Sequence, residues 1–411
     1  MKNLLKILFI VVTVLTTYAC SKKEGCTDPL ATNFNPNAEE DDGQCIYADK
    51  GCMDSRASNF NPHAITDDGS CIFPLVPGQP TPSPLQIPQI FSQSLPAPII
   101  PINNPQTVEG VSLGRKLFFD PILSGDGTLA CASCHSPEFS FTDNSQFSTG
   151  ITLQQGDRNS MPIFNAAWNV DINSDAKFFW DGRANGLEDQ ALGPVVNPIE
   201  MNNTWINATA SLQADSEYPS LFNAAFGTTI IDSSLVTMAL AQFERTLISG
   251  NSRADLFFLG QGSLTSSELS GYDLFTTEFG GDCFHCHGFA NEPLFTDNAF
   301  HNNGLDATFL DLGLGDITGN PADNGKFKTP SLRNLAYTAP YMHDGRFATL
   351  DEVIDHYSEG LVHSSTIDPL LKYVAQGGVQ LNPTEKADLK AFLLSLSEPD
   401  FITNPDFQDP N

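Results

Sequence analysis

Three features of the 411-residue sequence predict a mainly α fold: two similar helical units preceded by small disulfide-stapled repeats. A Cys-x-x-Cys-His motif occurs twice, at Cys131 to His135 and Cys283 to His287. Helix start signals and apolar spacings of three and four flank the motifs. Near the N-terminus a period of 26 residues repeats a pair of cysteines at a fixed separation of 19. The composition, 40% hydrophobic and 17% charged, is that of a folded chain. With 49 Asp and Glu against 20 Lys and Arg the net charge is −29, a field that repels phosphate backbones and excludes nucleic acid as a partner. The first 104 residues hold only 10 acids and 6 bases, so most of the excess lies beyond them. A solubilising acidic surface accounts for it.

Residues 1–19 carry Lys2 and Lys6, the apolar run Leu8 to Leu15, and then Thr17-Tyr18-Ala19 before Cys20. This resembles a bacterial lipoprotein signal, in which Cys20 would be acylated and anchor the chain to a membrane. Tyr18 is unusual there, and an ordinary secretory signal is the alternative. The apolar run is too short to span a bilayer. Both readings lead to the periplasm or cell envelope. Residues 20–73 hold the repeats, Gly25-Cys26-Thr27-Asp28 matching Gly51-Cys52-Met53-Asp54, and Asp41-Asp42-Gly43-Gln44-Cys45 matching Asp67-Asp68-Gly69-Ser70-Cys71. They resemble modules of secreted Bacteroidetes proteins. The spacing suggests one disulfide per repeat, with cross-repeat pairing open, and the acidic turns read as solvated rather than as Ca²⁺ sites. Residues 74–105 are proline-rich and predict a semi-rigid linker without helix or sheet.

The two motifs are those of c-type haem attachment: two thiols form thioethers to the haem vinyl groups and the adjacent imidazole binds iron. Chance would give such a motif roughly 0.004 times in a chain of this composition. Cys131, Cys134 and His135 would hold one haem, and Cys283, Cys286 and His287 the other. A zinc site would require the two cysteine pairs to converge on one metal, and a redox disulfide would need a thioredoxin-like βαβ context.

The flanking segments read as cytochrome c-like helices. Leu113 and Leu117 precede the first motif. Before the second, Thr265-Ser266-Ser267-Glu268 is a capping box, and Leu269, Tyr272, Phe275 and Phe279 follow on one expected face. Asn382-Pro383-Thr384-Glu385 starts a last helix whose Leu389, Phe392, Leu393 and Leu396 suit a haem pocket. The expected division is an N-terminal haem domain over 106–255, a C-terminal one over 256–400, and a tail over 401–411.

Function turns on the other side of each iron, since a haem with two protein ligands transfers electrons and one with an open face can bind peroxide. No histidine lies between His135 and His285, and Met161 and Met201 are the soft alternatives in the first domain. The first haem is therefore expected to be open or water-ligated. Around the second the candidates are His301, Met342, His343, His356, Tyr357 and His363.

The runs Phe179-Trp180-Asp181-Gly182-Arg183, Gln190 with Asn197-Pro198-Ile199-Glu200-Met201, Phe243-Glu244-Arg245-Thr246-Leu247 and Tyr341-Met342-His343-Asp344-Gly345 resemble the bacterial di-haem cytochrome c peroxidase family. That family includes a MauG-like subgroup whose namesake matures methylamine dehydrogenase. The resemblance covers about residues 107–398. It implies that Trp180 lies between the haems, with Gln190 and Glu200 over the open face of the first. It implies a Ca²⁺ between the domains at Asn165, Thr338 and Pro340. It puts Tyr357 where peroxidases of the family usually have a methionine ligand to the second iron and where the methylamine-dehydrogenase-maturing enzyme has tyrosine; Met342 is the alternative ligand. Ile151 stands where many members have a histidine that blocks the first haem.

The implied activity is a peroxidatic N-terminal domain reducing H₂O₂ to water, fed through an electron-transfer C-terminal domain by a small cytochrome c or similar donor. Two alternatives stand: a related enzyme oxidising residues of a partner protein, and a non-enzymatic di-haem carrier. A homodimer is one assembly the resemblance allows. Glu200 suits proton transfer because burial raises a carboxyl pKa. Gln190 can donate a hydrogen bond without titrating, and Trp180 offers a π system. The plainer readings are Trp180 as core and Glu200 as a surface acid beside Pro198. His343 reads as a packing residue, and Arg158, Arg245 and Arg333 either pair with haem propionates or form ordinary salt bridges.

Overall fold

The computed structural model describes residues 23–28, 31–46, 50–52, 59–64, 66–67, 79–170 and 176–410. Cys20 and Cys71, and with them the lipoprotein reading and one end of the second repeat's staple, lie outside the described residues. Among the described residues regular structure is mostly helical. The sheets are two short pairs, Lys50–Gly51 parallel to Thr66–Asp67 and Phe300–His301 antiparallel to Phe327–Lys328. No helix there is long and apolar enough to cross a membrane.

Two helix pairs organise two apolar cores. The Val108–Phe119 helix starts at Thr107, whose Oγ1 accepts from the Gly110 amide at 3.1 Å. It buries Leu113, Leu117 and Phe118 against the Ser233–Glu244 helix. The crossing needs Gly114, because a Cβ there would stand 1.9 Å from the Ala239 carbonyl oxygen. The second pair, Ser266–Phe275 with Pro383–Ser395, repeats the device: a Cβ on Gly271 would stand 2.0 Å from the Asp388 carbonyl oxygen. Both of its helices open on capping boxes, Thr265 with Glu268 and Asn382 with Glu385. Phe275, Leu389, Phe392, Leu393 and Leu396 are buried as the spacing predicts. Each fully buried aromatic of this kind contributes about 1.5–3 kcal/mol.

Two expectations are corrected. Phe279 is 87% exposed and not on the apolar face, because the helix ends at Phe275 and the chain turns through Gly280 and Gly281; Phe295 packs in its stead. The proline-rich linker does form a helix, Gln89–Ser94, in the stretch between Pro88 and Pro96 that contains no proline. Its Phe91 is fully buried, with its ring 5.2 Å from Trp168 and the Arg333 guanidinium 5.0 Å from its centroid. The last residues also pack: Phe401 and Phe407 enter the first core beside Phe141, and Arg115 donates to the Pro405 and Gln408 carbonyls. In the repeats, Cys26 and Cys45 form a disulfide.

The arginines take ordinary partners. Arg333, fully buried, makes a two-pronged pair with Asp255 at 2.6 and 2.8 Å. Arg245 binds Glu188 at 2.6 Å, and Arg158 lies between Asp181 and Asp311.

Candidate active site

Each Cys-x-x-Cys-His motif folds as a short helical turn at the edge of its core and faces its own cavity. The first cavity, of about 280 Å³, is lined by Cys131, Cys134 and His135; the second, of about 220 Å³, by Cys283, Cys286 and His287. None of the four cysteines is disulfide-bonded, and the pairs do not share a cavity, which disposes of the single zinc site. His135 Nδ1 lies 2.9 Å from the Phe141 carbonyl oxygen and His287 Nδ1 lies 3.0 Å from that of Phe295. A carbonyl only accepts, so Nδ1 carries the proton and Nε2 is left with its lone pair, the state an iron ligand needs. Phe141 and Phe295 both adopt left-handed backbone, with φ of 63° and 51°, at fully buried positions. Paired thiols, an oriented imidazole and a cavity in each half fit a covalently held haem.

In the first cavity Glu200 accepts from Asn197 Nδ2 at 2.6 Å. Burial raises its carboxyl above the ordinary range, while that hydrogen bond and the Arg183 charge pull it back. The loop beneath it is fixed through its backbone, since the Ile151 amide donates to the Glu200 carbonyl at 2.9 Å. Ile151 itself does not line the cavity. Gln190, at the end of the Leu187–Gln190 helix, does. Met161 and Met201 also line this cavity; Met201 is packed in the first core, and the Met161 backbone bonds His135.

Glu244, in the run Phe243-Glu244-Arg245-Thr246-Leu247, has surroundings that only the fold discloses. It lines the same cavity, and its Oε2 is buried without a partner. Burial pushes its carboxyl up to about 8.

Trp180 lines both cavities, with Asn159, Pro162 and Lys328. Its indole Nε1 donates to the Asn159 carbonyl at 2.8 Å, and the Asn159 amide donates to the His343 carbonyl at 2.7 Å. It is thus a buried wall residue with a fixed ring.

In the second cavity Met342 and Tyr357 both line the wall. Tyr357 sits in the wider π-helical turn His356–Gly360, and burial pushes its phenol up to about 12. The histidines are otherwise engaged. His301 is held between Asp297 at 2.8 Å and Asp368 at 2.5 Å, His343 stacks on Phe327 at 3.6 Å between ring centroids, and His356 Nε2 bonds the Asn303 carbonyl at 3.0 Å. His363 is exposed.

Of the three residues expected at a calcium ion, Asn165 lines the first cavity and Thr338 and Pro340 the second. Both Asn165 side-chain atoms are taken by the Ser249 backbone at 2.9 Å. Calcium thus rests on the resemblance alone.

Known proteins resemble this chain. A family model described as di-haem cytochrome c peroxidase matches residues 108–263. The methylamine utilization protein MauG of Methylorubrum extorquens is 39% identical over 310 residues, covering 74% of this chain and 83% of that one. The cytochrome c551 peroxidase of Nitrosomonas europaea is 35% identical over 317 residues, covering 74% and 86%. The chain belongs to the di-haem cytochrome c peroxidase family. A solved structure of a MauG-like protein associated with microbial copper homeostasis superposes on this family member with a TM-score of 0.70 at 37% identity, covering 79% of this chain and 98% of the other. Family membership makes it a c-type haem oxidoreductase, and relatives bear both the MauG and the peroxidase names.

Proposed function

We propose that this di-haem family member reduces H₂O₂ to water in the periplasm or cell envelope, drawing electrons from a small cytochrome c or similar donor. The observation that carries the reading is Glu200: an acid with a raised pKa, held by Asn197 in the cavity of His135. When bound, the two haems supply the electron storage and the peroxide-binding iron. Cys131, Cys134 and His135 would hold the first, and Cys283, Cys286, His287 and Tyr357 the second, with Met342 as the alternative ligand.

The residues handle the protons. The balance is H₂O₂ + 2 e⁻ + 2 H⁺ → 2 H₂O. Glu200 as carboxylate takes the proton from the near peroxide oxygen and, as acid, returns it to the far oxygen as the O–O bond breaks. Asn197 fixes the carboxylate for both transfers. Gln190 donates a hydrogen bond to the bound oxygens without changing charge. Trp180, common to both walls, stands on the electron path.

Because Ile151 does not line the first cavity, the oxidised protein is expected to react with peroxide without prior reduction. Stopped-flow spectra with H₂O₂, with and without a reduced small cytochrome c, test this, and resting EPR should include a high-spin ferric signal. A purely low-spin spectrum, with reactivity appearing only after one-electron reduction, would sink it. A second reading, oxidation of residues on a partner protein, is favoured by Tyr357 in the second cavity; it predicts peroxide consumption without oxidation of the added cytochrome. A lipid anchor at Cys20, a homodimer and Ca²⁺ at Asn165, Thr338 and Pro340 complete the proposal. A pure electron carrier has no use for an acid in an open haem cavity.

A further inference from the structure

Three side chains able to bind iron converge on one residue of the second cavity, Asn303. Its carbonyl oxygen lies 3.0 Å from His356 Nε2. Because a carbonyl only accepts, that nitrogen carries the proton and has no lone pair to offer a metal. Its side-chain Nδ2 lies 3.3 Å from Tyr357 Oη and 3.4 Å from Met342 Sδ. The sulfur can only accept, which assigns the amide orientation, and a carboxamide nitrogen carries two hydrogens, enough for both neighbours.

The node is rigidly set. Met342 is held at φ of 78°, a conformation costly for any side chain, and Gly304 at 72°. The Gly304 amide is tied to Asn302 Oδ1 at 3.0 Å, and Tyr357 is carried by the π-helical turn.

We infer that Asn303 is a positioning residue that selects and tunes the axial ligand of the second haem: its carbonyl withholds His356, and its amide donates to the tyrosine or methionine that remains. This rests on the reading of the second cavity as the electron-transfer haem site. A hydrogen bond given to a phenolate oxygen draws electron density from it, weakens its donation to ferric iron and so raises the haem potential relative to the same ligand without the donor. The same polarisation acts on a thioether sulfur, more weakly.

The test is spectroelectrochemical titration of the holoenzyme, with Asn303→Leu removing the donor at similar size and Asn303→Thr keeping one. Asn303→Leu should shift the ferric–ferrous equilibrium of the second haem toward ferric by tenfold or more, 59 mV per tenfold for a one-electron couple. The potential of the first haem should not move, and Asn303→Thr should restore most of the shift. An unchanged second potential in Asn303→Leu with both haems attached makes Asn303 a packing residue and overturns the inference, as does a threonine variant that behaves like leucine. The ligand reading fails separately: if Tyr357→Phe leaves the second haem's spectrum unchanged while Asn303→Leu still shifts its potential, Asn303 acts through Met342 and the tyrosine assignment is lost.

Discussion

The cavity around His135 and the cavity around His287 share one wall design and differ in the other. In both, a buried left-handed phenylalanine turns its carbonyl onto the imidazole Nδ1, and a glycine lets two helices cross close behind the motif. Beyond that, the first cavity carries two carboxyls raised by burial, Glu200 and Glu244, beside Met161 and Met201, and the second carries Tyr357 and Met342 beside Asp282 and Asp368. The attachment scaffold is used twice, and on the proposed reading the remaining wall decides whether a haem meets substrate or exchanges electrons. Trp180 belongs to both walls, so the halves cannot be specialised independently of it.

The sharpest way to break the comparison is to neutralise the first cavity's acid. Glu200→Gln keeps the volume and can still meet Asn197, but it removes the proton acceptor. Peroxide-dependent oxidation of a donor cytochrome should fall by about 10²- to 10⁴-fold, the range for a lost general acid–base group. Haem staining and both absorption spectra should be unchanged. In the parent enzyme the rate should rise with pH as Glu200 loses its proton, at a midpoint above the ordinary carboxylate range because burial raises it. Unchanged turnover in the variant returns Glu200 to the role of a surface acid.

The second test acts on the other wall. A phenolate from Tyr357 is a hard anionic ligand that stabilises ferric iron and lowers the potential, whereas a thioether raises it. Tyr357→Met should therefore move the second haem's potential up by several tenfold steps in the equilibrium, at 59 mV each, and create a near-infrared Met-to-iron band. If the parent protein already has that band and Met342→Ala abolishes it, the second cavity is that of an ordinary peroxidase.

Much of this was legible in the sequence, and for physical reasons. Covalent attachment demands Cys-x-x-Cys-His in one short turn, so both haem sites are local and visible. Capping at Thr265 and Asn382 is equally local. What depends on distant partners was not readable. Asn303 meets Met342 and Tyr357 across 39 and 54 residues of chain. Glu244 looked like one member of a motif until folding left its Oε2 without a partner. Proline content was a poor guide to residues 74–105, because six residues between prolines suffice for a helix once Phe91 has a pocket to fill. Phe279 failed for the opposite reason: its spacing was helical, but the helix ends at Phe275, with Thr276 as its C-cap, before it reaches Phe279.

The smallest expected effect is on stability, and it again separates the cavities. Glu244 in the first has a carboxyl raised to about 8 by burial, against roughly 4.3 in an unfolded chain. Its folded form therefore holds the proton more tightly than its unfolded form. The sign follows: the contribution favours folding fully below the unfolded value, declines as pH rises between the two values, and is lost above the folded one. Asp282 in the second cavity is also raised by burial, but His285 Nε2 lies 3.2 Å away and pulls it down. Glu244→Gln removes a group that folding must keep neutral, so the variant should gain on the parent enzyme as pH is raised from about 5 to 8, by up to a few kcal/mol. Asp282→Asn should give a flatter difference, because the His285 and Lys372 charges offset part of what burial does to Asp282. Urea unfolding of the holoenzymes across that range measures both. Parallel curves for Glu244→Gln and parent would mean that Glu244 finds a cation when folded, and the first cavity would then hold no buried neutral acid at that position.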